Sequence, residues 1–272
     1  MIASVHVSDV NLSVALSAAR RTSFHRSVHG LRHANLAFAA PLSPSVLPRP
    51  SLRRIVMVAI WDGDAALDRF LETDRFANVF QNGWRVRLQP LRASGSWPGL
   101  DPTIPSSREA PYEGPAAVLI LGRLRARRAV NFFRTSARAE AQILESPGLI
   151  WATGMGLPPF VGTFSLWRES ASLMSYAYGT ANSRHGAAIA RNHQNPFHHL
   201  SAFARFRPYA WVGELHGKNP LAASWLQSTE SDSRRAPSEA RASADNIVPI
   251  GDQHGSGVSR THHRPRSSGS SN

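Results

Sequence analysis

Histidine is the residue type in this chain best suited to chemistry near neutral pH. Five of the twelve histidines crowd between residues 182 and 216: His185, His193, His198, His199 and His216. A neutral imidazole nitrogen is a metal ligand and a general base. Cysteine is absent, so thiolate sites for zinc, iron–sulfur clusters and thiolate-ligated iron are excluded, and imidazole is the donor that remains. The five are not equivalent. His198 and His199 are adjacent, and neighbours on a strand point to opposite faces, so they do not chelate one ion together. A site of two histidines and one carboxylate needs an acid nearby, and residues 114–216 hold only Glu140, Glu145, Glu169 and Glu214. His185 sits on an expected helix beside Gly186, Ala187 and Ala188, small residues that would let a flat ligand come close. The plainer reading is a solvated helix histidine.

Arginine is the second chemical signal. The formal net charge is +13, and residues 114–216 carry eleven arginines against four glutamates. Such a surface attracts an anion, a membrane face or nucleic acid. Arg123, Arg125, Arg127 and Arg128 cluster where an expected strand passes into a helix, as a solvated edge or an anion contact. Other motifs fail on inspection. "HGKNPL" from His216 lacks the glycine spacing and the Ser/Thr of a phosphate loop. Gly154-Met155-Gly156 leads into prolines and not into a helix, so it is no dinucleotide fingerprint.

These residues need elements to hold them, and the chain supplies them twice. "GLRHANLAFAAPL" from Gly30 is echoed by "GLIWATGMGLPPF" from Gly148, and "WDGDAALDRF" from Trp61 by "WRESASLMSY" from Trp167. Matched segments in the same order mean one structural unit used twice. The first copy reads as strand 3–7, helix 11–21 with Leu12, Leu16 and Ala19 on one face and Asp9 or Asn11 as cap, strand 31–40, a proline-rich excursion 41–50, strand 54–61, helix 64–80 and strand 84–91. The second reads as strand 116–121, helix 127–144, strands 149–156 and 161–167, helix 170–192 broken near Gly179, and strand 200–206. A β-α-β-β-α-β unit is the ferredoxin-like split motif. The expected fold is therefore α+β: two tandem ferredoxin-like domains, 1–92 and 116–212, joined by a linker 93–115 and packed sheet to sheet as an α/β barrel. Two independent domains, each pairing with another chain, are the alternative. Residues 213–272 are expected to be mostly disordered, being too poor in apolar groups to offset the entropy of ordering. Trp61 and Trp167 are expected core residues. No apolar run reaches the roughly 20 residues of a membrane span, and residues 1–21 do not read as a signal peptide, so a cytoplasmic location, with peripheral membrane contact open to it, is expected.

The stretch from Ser146 to Ile189, with its "SPGL" turn, its "G-x-G-x-P" strand end, its "TFSLW" strand and a histidine-bearing second helix, resembles the spheroidene monooxygenase family of carotenoid biosynthesis; "FARFRP" from Phe203 fits that family's last strand. The resemblance covers residues 116–210 and reaches 1–92 only through the degenerate repeat. It implies haem, an oxygenated apolar polyene or isoprenoid-like substrate, and an electron-donor protein. On that reading His185 is the candidate axial ligand to the haem iron, at the point where the first copy carries Phe76, and Arg123 and Arg125 are candidate propionate contacts. Tandem ferredoxin-like domains with haem in the second are also similar to the chlorite dismutase group, a likeness of fold. Two other readings stand beside it: a cofactor-free or non-catalytic dimeric α/β-barrel protein, and an RNA-binding module of the same element order. For the last, "VLILGRL" from Val118 lacks the stacking aromatic, and no nucleic-acid partner is expected.

Overall fold

The computed structural model describes residues 1–21, 27–43, 45, 49–107, 112–178 and 197–222. Its elements run β1 (Ile2–Asp9), α1 (Leu12–Ala19), β2 (Leu31–Ala40), β3 (Ser51–Trp61), α2 (Asp64–Thr73), β4 (Trp84–Gly95), β5 (Ala116–Leu124), α3 (Ala129–Leu144), β6 (Leu149–Leu157), β7 (Phe160–Trp167), α4 (Ser170–Tyr178) and β8 (His198–Val212). The repeated glycine explains itself at once. Gly30 and Gly148 precede β2 and β6 with φ of +76° and +80°, a left-handed conformation that favours glycine. A β-carbon there would strike Ala66 of α2 in one copy and Ser172 of α4 in the other. Each copy thus uses the same missing side chain to seat its second helix.

Each copy forms a four-stranded sheet in ferredoxin-like order, β4-β1-β3-β2 and β8-β5-β7-β6, and the two sheets join edge to edge into one closed antiparallel barrel. The seams differ. β4 pairs with β8 from Arg85–Val212 to Gly95–Ala202, whereas β2 meets β6 only over Phe38–Gly156, Ala39–Met155 and Ala40–Gly154. Strand alternation sends one set of residues inward. Val5, Val58, Val86, Leu119, Phe164 and Ala204, drawn from both copies, share a single buried interior. Trp84, Trp151 and Phe164 pack edge to face or tilted at its centre, with ring centroids 6.0–6.2 Å apart. RNA-recognition modules stack bases on the sheet face opposite their helices; here that face is the packed barrel interior.

The outward set carries the helices. In the first copy Trp61, Leu67, Phe70, Phe76 and Phe80 close a second apolar layer against Ile55, Met57 and Ala59. Trp61 and Trp167 are both fully buried, and each donates its indole N–H to a serine hydroxyl, Ser4 at 2.8 Å and Ser165 at 3.0 Å.

Several expectations need correction. Leu12 and Leu16 do not face the core; α1 buries Ala15 and Ala18 instead, and neither Asp9 nor Asn11 caps it through a side chain. The helix expected over 64–80 ends at Thr73, because Asp74 turns extended and accepts the Phe76 N–H at 2.8 Å; a 3₁₀ helix follows over Arg75–Phe80. β4 continues to Gly95, inside the stretch read as a linker, and Trp97 is buried in the barrel interior. β8 begins two residues before the expected strand and runs six beyond it. Residues 213–222, read as tail, return Leu215 and Leu221 to the barrel interior. The continuation of α4 past Tyr178 and the disorder expected after 226 lie outside the described residues.

Candidate functional site

Register shows where the copies diverge. Leu31 pairs with Trp61, and Leu149 with Trp167, each followed by the same one-residue irregularity. From these anchors Leu36 corresponds to Gly154, Phe38 to Gly156, Met57 to Thr163 and Ser8 to Gly122. On the outer face the first copy therefore carries Leu36, Phe38 and Met57 where the second carries Gly154, Gly156 and Thr163. Large side chains are removed in the second copy at three neighbouring places on one face.

α1 packs close on β2 and β3, while α3 comes less close to any strand. α3 touches the layer beneath through Phe132 and Phe133, against Leu124, Val161 and Phe197, and through Ile143, beside Ala116, Val118 and Trp167. Between those contacts Ala152, Gly154, Gly156, Thr163 and Ile120 form a low stretch of the sheet's outer face, a slot as far as the described residues go. Among the described residues, a β-carbon built on Gly156 would have nothing nearer than 3.9 Å.

Four polar groups stand on the same side of the second copy's sheet or on the helices over it. Glu140, half-buried on α3, accepts the Ser43 N–H at 2.9 Å, and burial pushes its carboxyl above the usual range. Tyr176 on α4 stacks on Trp167 at 5.2 Å; burial, then the Glu140 charge, raises its phenol. Arg205, buried on β8, donates to the Met174 sulfur at 3.6 Å. His198 lies over the bare α-carbon of Gly122, where a β-carbon would come within 2.4 Å of the ring, and meets Phe132 edge-on at 5.1 Å. Burial holds this imidazole below its ordinary pKa and hence neutral, and its Nδ1 has no hydrogen-bond partner among the described residues.

The sequence candidates fall unevenly around this slot. His185 and His193 lie outside the described residues. Arg123 lies near the end of β5 and Arg125 just after it, both exposed; Arg125 donates through Nε to the His198 carbonyl at 3.2 Å, while Arg123 pairs with Phe160 and Leu200 at the barrel rim. Arg127 and Arg128 are exposed on the turn before α3, and His199 is exposed. His216 belongs to the first copy's surface, against Arg54 at 2.6 Å. No group of three or more histidines and acids stands ready for a metal ion among the described residues.

Sequence reasoning missed the glycine floor, which an offset-by-offset comparison of the copies would reveal. It also missed the crossing loop. The proline-rich excursion after β2 reaches over the β2–β6 seam, bringing Ser43 to Glu140 and Leu42 beside Gly154. No local pattern signals that contact, which spans 97 residues.

No protein-family model matches the chain. Spheroidene monooxygenase of Cereibacter sphaeroides is 26% identical over 211 residues, covering 75% of this chain and 64% of that protein. The enzyme of the same name from Rhodobacter capsulatus is 29% identical over 145 residues, covering 52% of this chain and 59% of that protein. The chain thus spans about three fifths of the length of the curated relatives it matches. Among solved structures, a putative monooxygenase from Fusobacterium nucleatum superposes with a TM-score of 0.35 at 10% identity, covering 80% of this chain and 97% of that chain. An aldoxime dehydratase gives a TM-score of 0.49 at 7% identity, covering 76% and 79%. None of the described helices is long and apolar enough to cross a membrane. On these two matches the chain is a distant homologue of spheroidene monooxygenase.

Proposed function

We propose that this chain is a spheroidene monooxygenase-like oxygenase that acts on an apolar, isoprenoid-like molecule with haem seated in the second copy. The distant homology supports the reaction class, and the observation that carries the assignment to a place is the cleared outer face: Leu36, Phe38 and Met57 in one copy, Gly154, Gly156 and Thr163 in the other. A flat group would lie against this floor: among the described residues a β-carbon at Gly156 would meet nothing nearer than 3.9 Å, and His198 offers a neutral imidazole whose Nδ1 has no partner among those residues. His185 remains the candidate axial donor, with Arg123 and Arg125 as candidate propionate contacts. Haem would supply the activation of oxygen, either from dioxygen with two electrons and two protons delivered by a donor protein, or from peroxide, which is already reduced by two electrons. The chain's own residues do the rest. Ile120, Val161 and Phe203 give apolar surface that orients an apolar chain and excludes water. Glu140, its carboxyl raised by burial, holds a proton more readily than a surface glutamate does.

Reconstitution with haem tests the reading. Wild-type protein should give a Soret band and convert a carotenoid or a related apolar chain to an oxygenated product. His185→Ala should lose or strongly shift the band while circular dichroism is unchanged. Gly156→Phe, which restores the first copy's residue, should fold and yet take up little haem. A wild-type protein without a Soret band and without product would leave a cofactor-free or non-catalytic barrel protein. An unchanged band in His185→Ala would move the ligand to His198 or His193.

A further inference from the structure

α1 is built inside out. Its core-facing side is Ala15 and Ala18, while its large apolar residues face away: Leu12 is 46% exposed, Leu16 41% and Val14 38%. Leu12 and Leu16 stand one turn apart on one flank. Val14 stands on the other flank, where with Val10, Asn11, Asp9 and Arg53 it lines an open depression of about 550 Å³. Only the small serines Ser13 and Ser17 separate the two flanks. A soluble helix that needed only to cover its sheet would present these leucines inward.

The charges around this apolar ridge have one sign available. Arg53 is exposed beside Val14, with no ion pair among the described residues, and Val10 is tied to it through its N–H to the Arg53 carbonyl at 2.7 Å. Arg20 and Arg21 are exposed at the end of the helix. The nearby acid, Asp9, already accepts two hydrogen bonds from Arg54, from Nε at 2.7 Å and Nη2 at 2.5 Å. Exposed leucines rimmed by arginines, with the local carboxylate neutralised, complement an anionic lipid surface: apolar groups enter the headgroup–acyl boundary while guanidinium groups meet phosphates.

We propose that α1, with Arg20, Arg21 and Arg53, docks the protein on the surface of an anionic bilayer, without crossing it. The surface lies on the first copy and requires neither haem nor turnover. Its failure is therefore distinguishable from that of the oxygenase reading, which would gain from it a route to a lipid-dissolved substrate.

Co-sedimentation of the full chain with vesicles is the test, using phosphatidylcholine alone and phosphatidylcholine mixed with phosphatidylglycerol. Wild-type protein should pellet with the mixed vesicles and far less with the neutral ones. Leu12→Ser with Leu16→Ser should weaken binding to the mixed vesicles by about tenfold or more, as expected for two partly buried leucines, with an unchanged circular dichroism spectrum. Arg53→Glu, which leaves the apolar ridge intact, should weaken binding to the mixed vesicles and not to the neutral ones. Wild-type protein that stays in the supernatant, or a double serine variant that binds as well as wild type, overturns the proposal. A double variant that shifts from dimer to monomer on size exclusion while vesicle binding is unaltered overturns it too, and assigns the ridge to a second copy of the chain.

Discussion

His6 shows what burial does to one side chain. It lies on the outer face of β1, fully enclosed, with Nε2 at 2.9 Å from the Ser4 hydroxyl and its ring edge-on to Phe80 at 5.5 Å. Burial first, and then the positive charges of Arg85 and Arg87, lower its pKa from 6.5 to about 3. The folded state therefore resists a proton that the unfolded chain accepts. The associated stability is fully present above pH 6.5, falls as pH drops from 6.5 toward 3, and levels off below that. Between pH 7 and pH 5 the loss should be on the order of 2 kcal/mol. Urea unfolding at the two pH values checks it: wild-type protein should lose that amount, and His6→Gln, less stable at pH 7, should show a much smaller pH dependence. Equal slopes for the two proteins would place the acid sensitivity elsewhere. His6 corresponds in register to Ile120 of the second copy, so this polar network of Ser4, His6 and Trp61 belongs to the copy that keeps its outer layer closed.

Among the elements, the junction after α2 is the clearest case of local chemistry overriding periodicity. Apolar spacing continues from Leu67 through Phe76 to Phe80, which reads as one helix, yet Asp74 takes the Phe76 N–H and restarts the chain as a 3₁₀ turn. Asp74→Ala should cost about 1 kcal/mol, the usual value of such a cap, measured as a shift in the denaturant midpoint with unchanged slope; no shift would mean that packing of Phe76 and Phe80 alone sets the turn. The same contrast decides what could be read in advance. β3 and β5 announce themselves because a barrel strand buried on both faces is a continuous apolar run. The repeat, its turn glycines and its tryptophans were legible because each answers a local demand. β4 reads short because the proline- and glycine-rich stretch from 93 looks like a linker, and β8 because Pro208 looks like a strand end. In the barrel Pro90 and Pro208 both stand beside register irregularities, where a missing N–H is tolerated. The inverted face of α1 was illegible for a different reason: Leu12, Leu16 and Ala19 do share a face, but spacing says only which residues are together, not which side the core takes. The slot was half legible, through its histidines and arginines, and its floor became visible only once strand register fixed which residues of the two copies correspond.

At the scale of the molecule, the two copies are not two bodies. Val5 and Leu119, Trp84 and Trp151, Val58 and Phe164 belong to one interior, so neither sheet can open that face without exposing the other. Yet the ring of strands is uneven. The β4–β8 seam carries a long ladder interrupted by two irregularities, while the β2–β6 seam carries three residue pairs, and two of its members are Gly154 and Gly156. Glycine adds no side-chain packing across a seam and gains most entropy when freed. The Thr153 hydroxyl of β6 adds a bond to the Ala40 carbonyl of β2 at 3.3 Å, and the crossing loop stiffens this place through the Ser43 N–H to Glu140. Local openings start where few contacts must break. Amides of Phe38–Ala40 and Gly154–Gly156 should therefore exchange with deuterium well before those along the β4–β8 ladder, while thermal unfolding of the whole barrel proceeds as one calorimetric transition. Two separated transitions would show that the copies fold independently. Equal protection of both seams would show that the loop, and not the ladder, sets the strength of the closure. Because the weak seam borders the slot, occupation of that slot by a flat ligand should slow exchange at Gly154–Gly156 selectively, leaving the β4–β8 ladder unchanged.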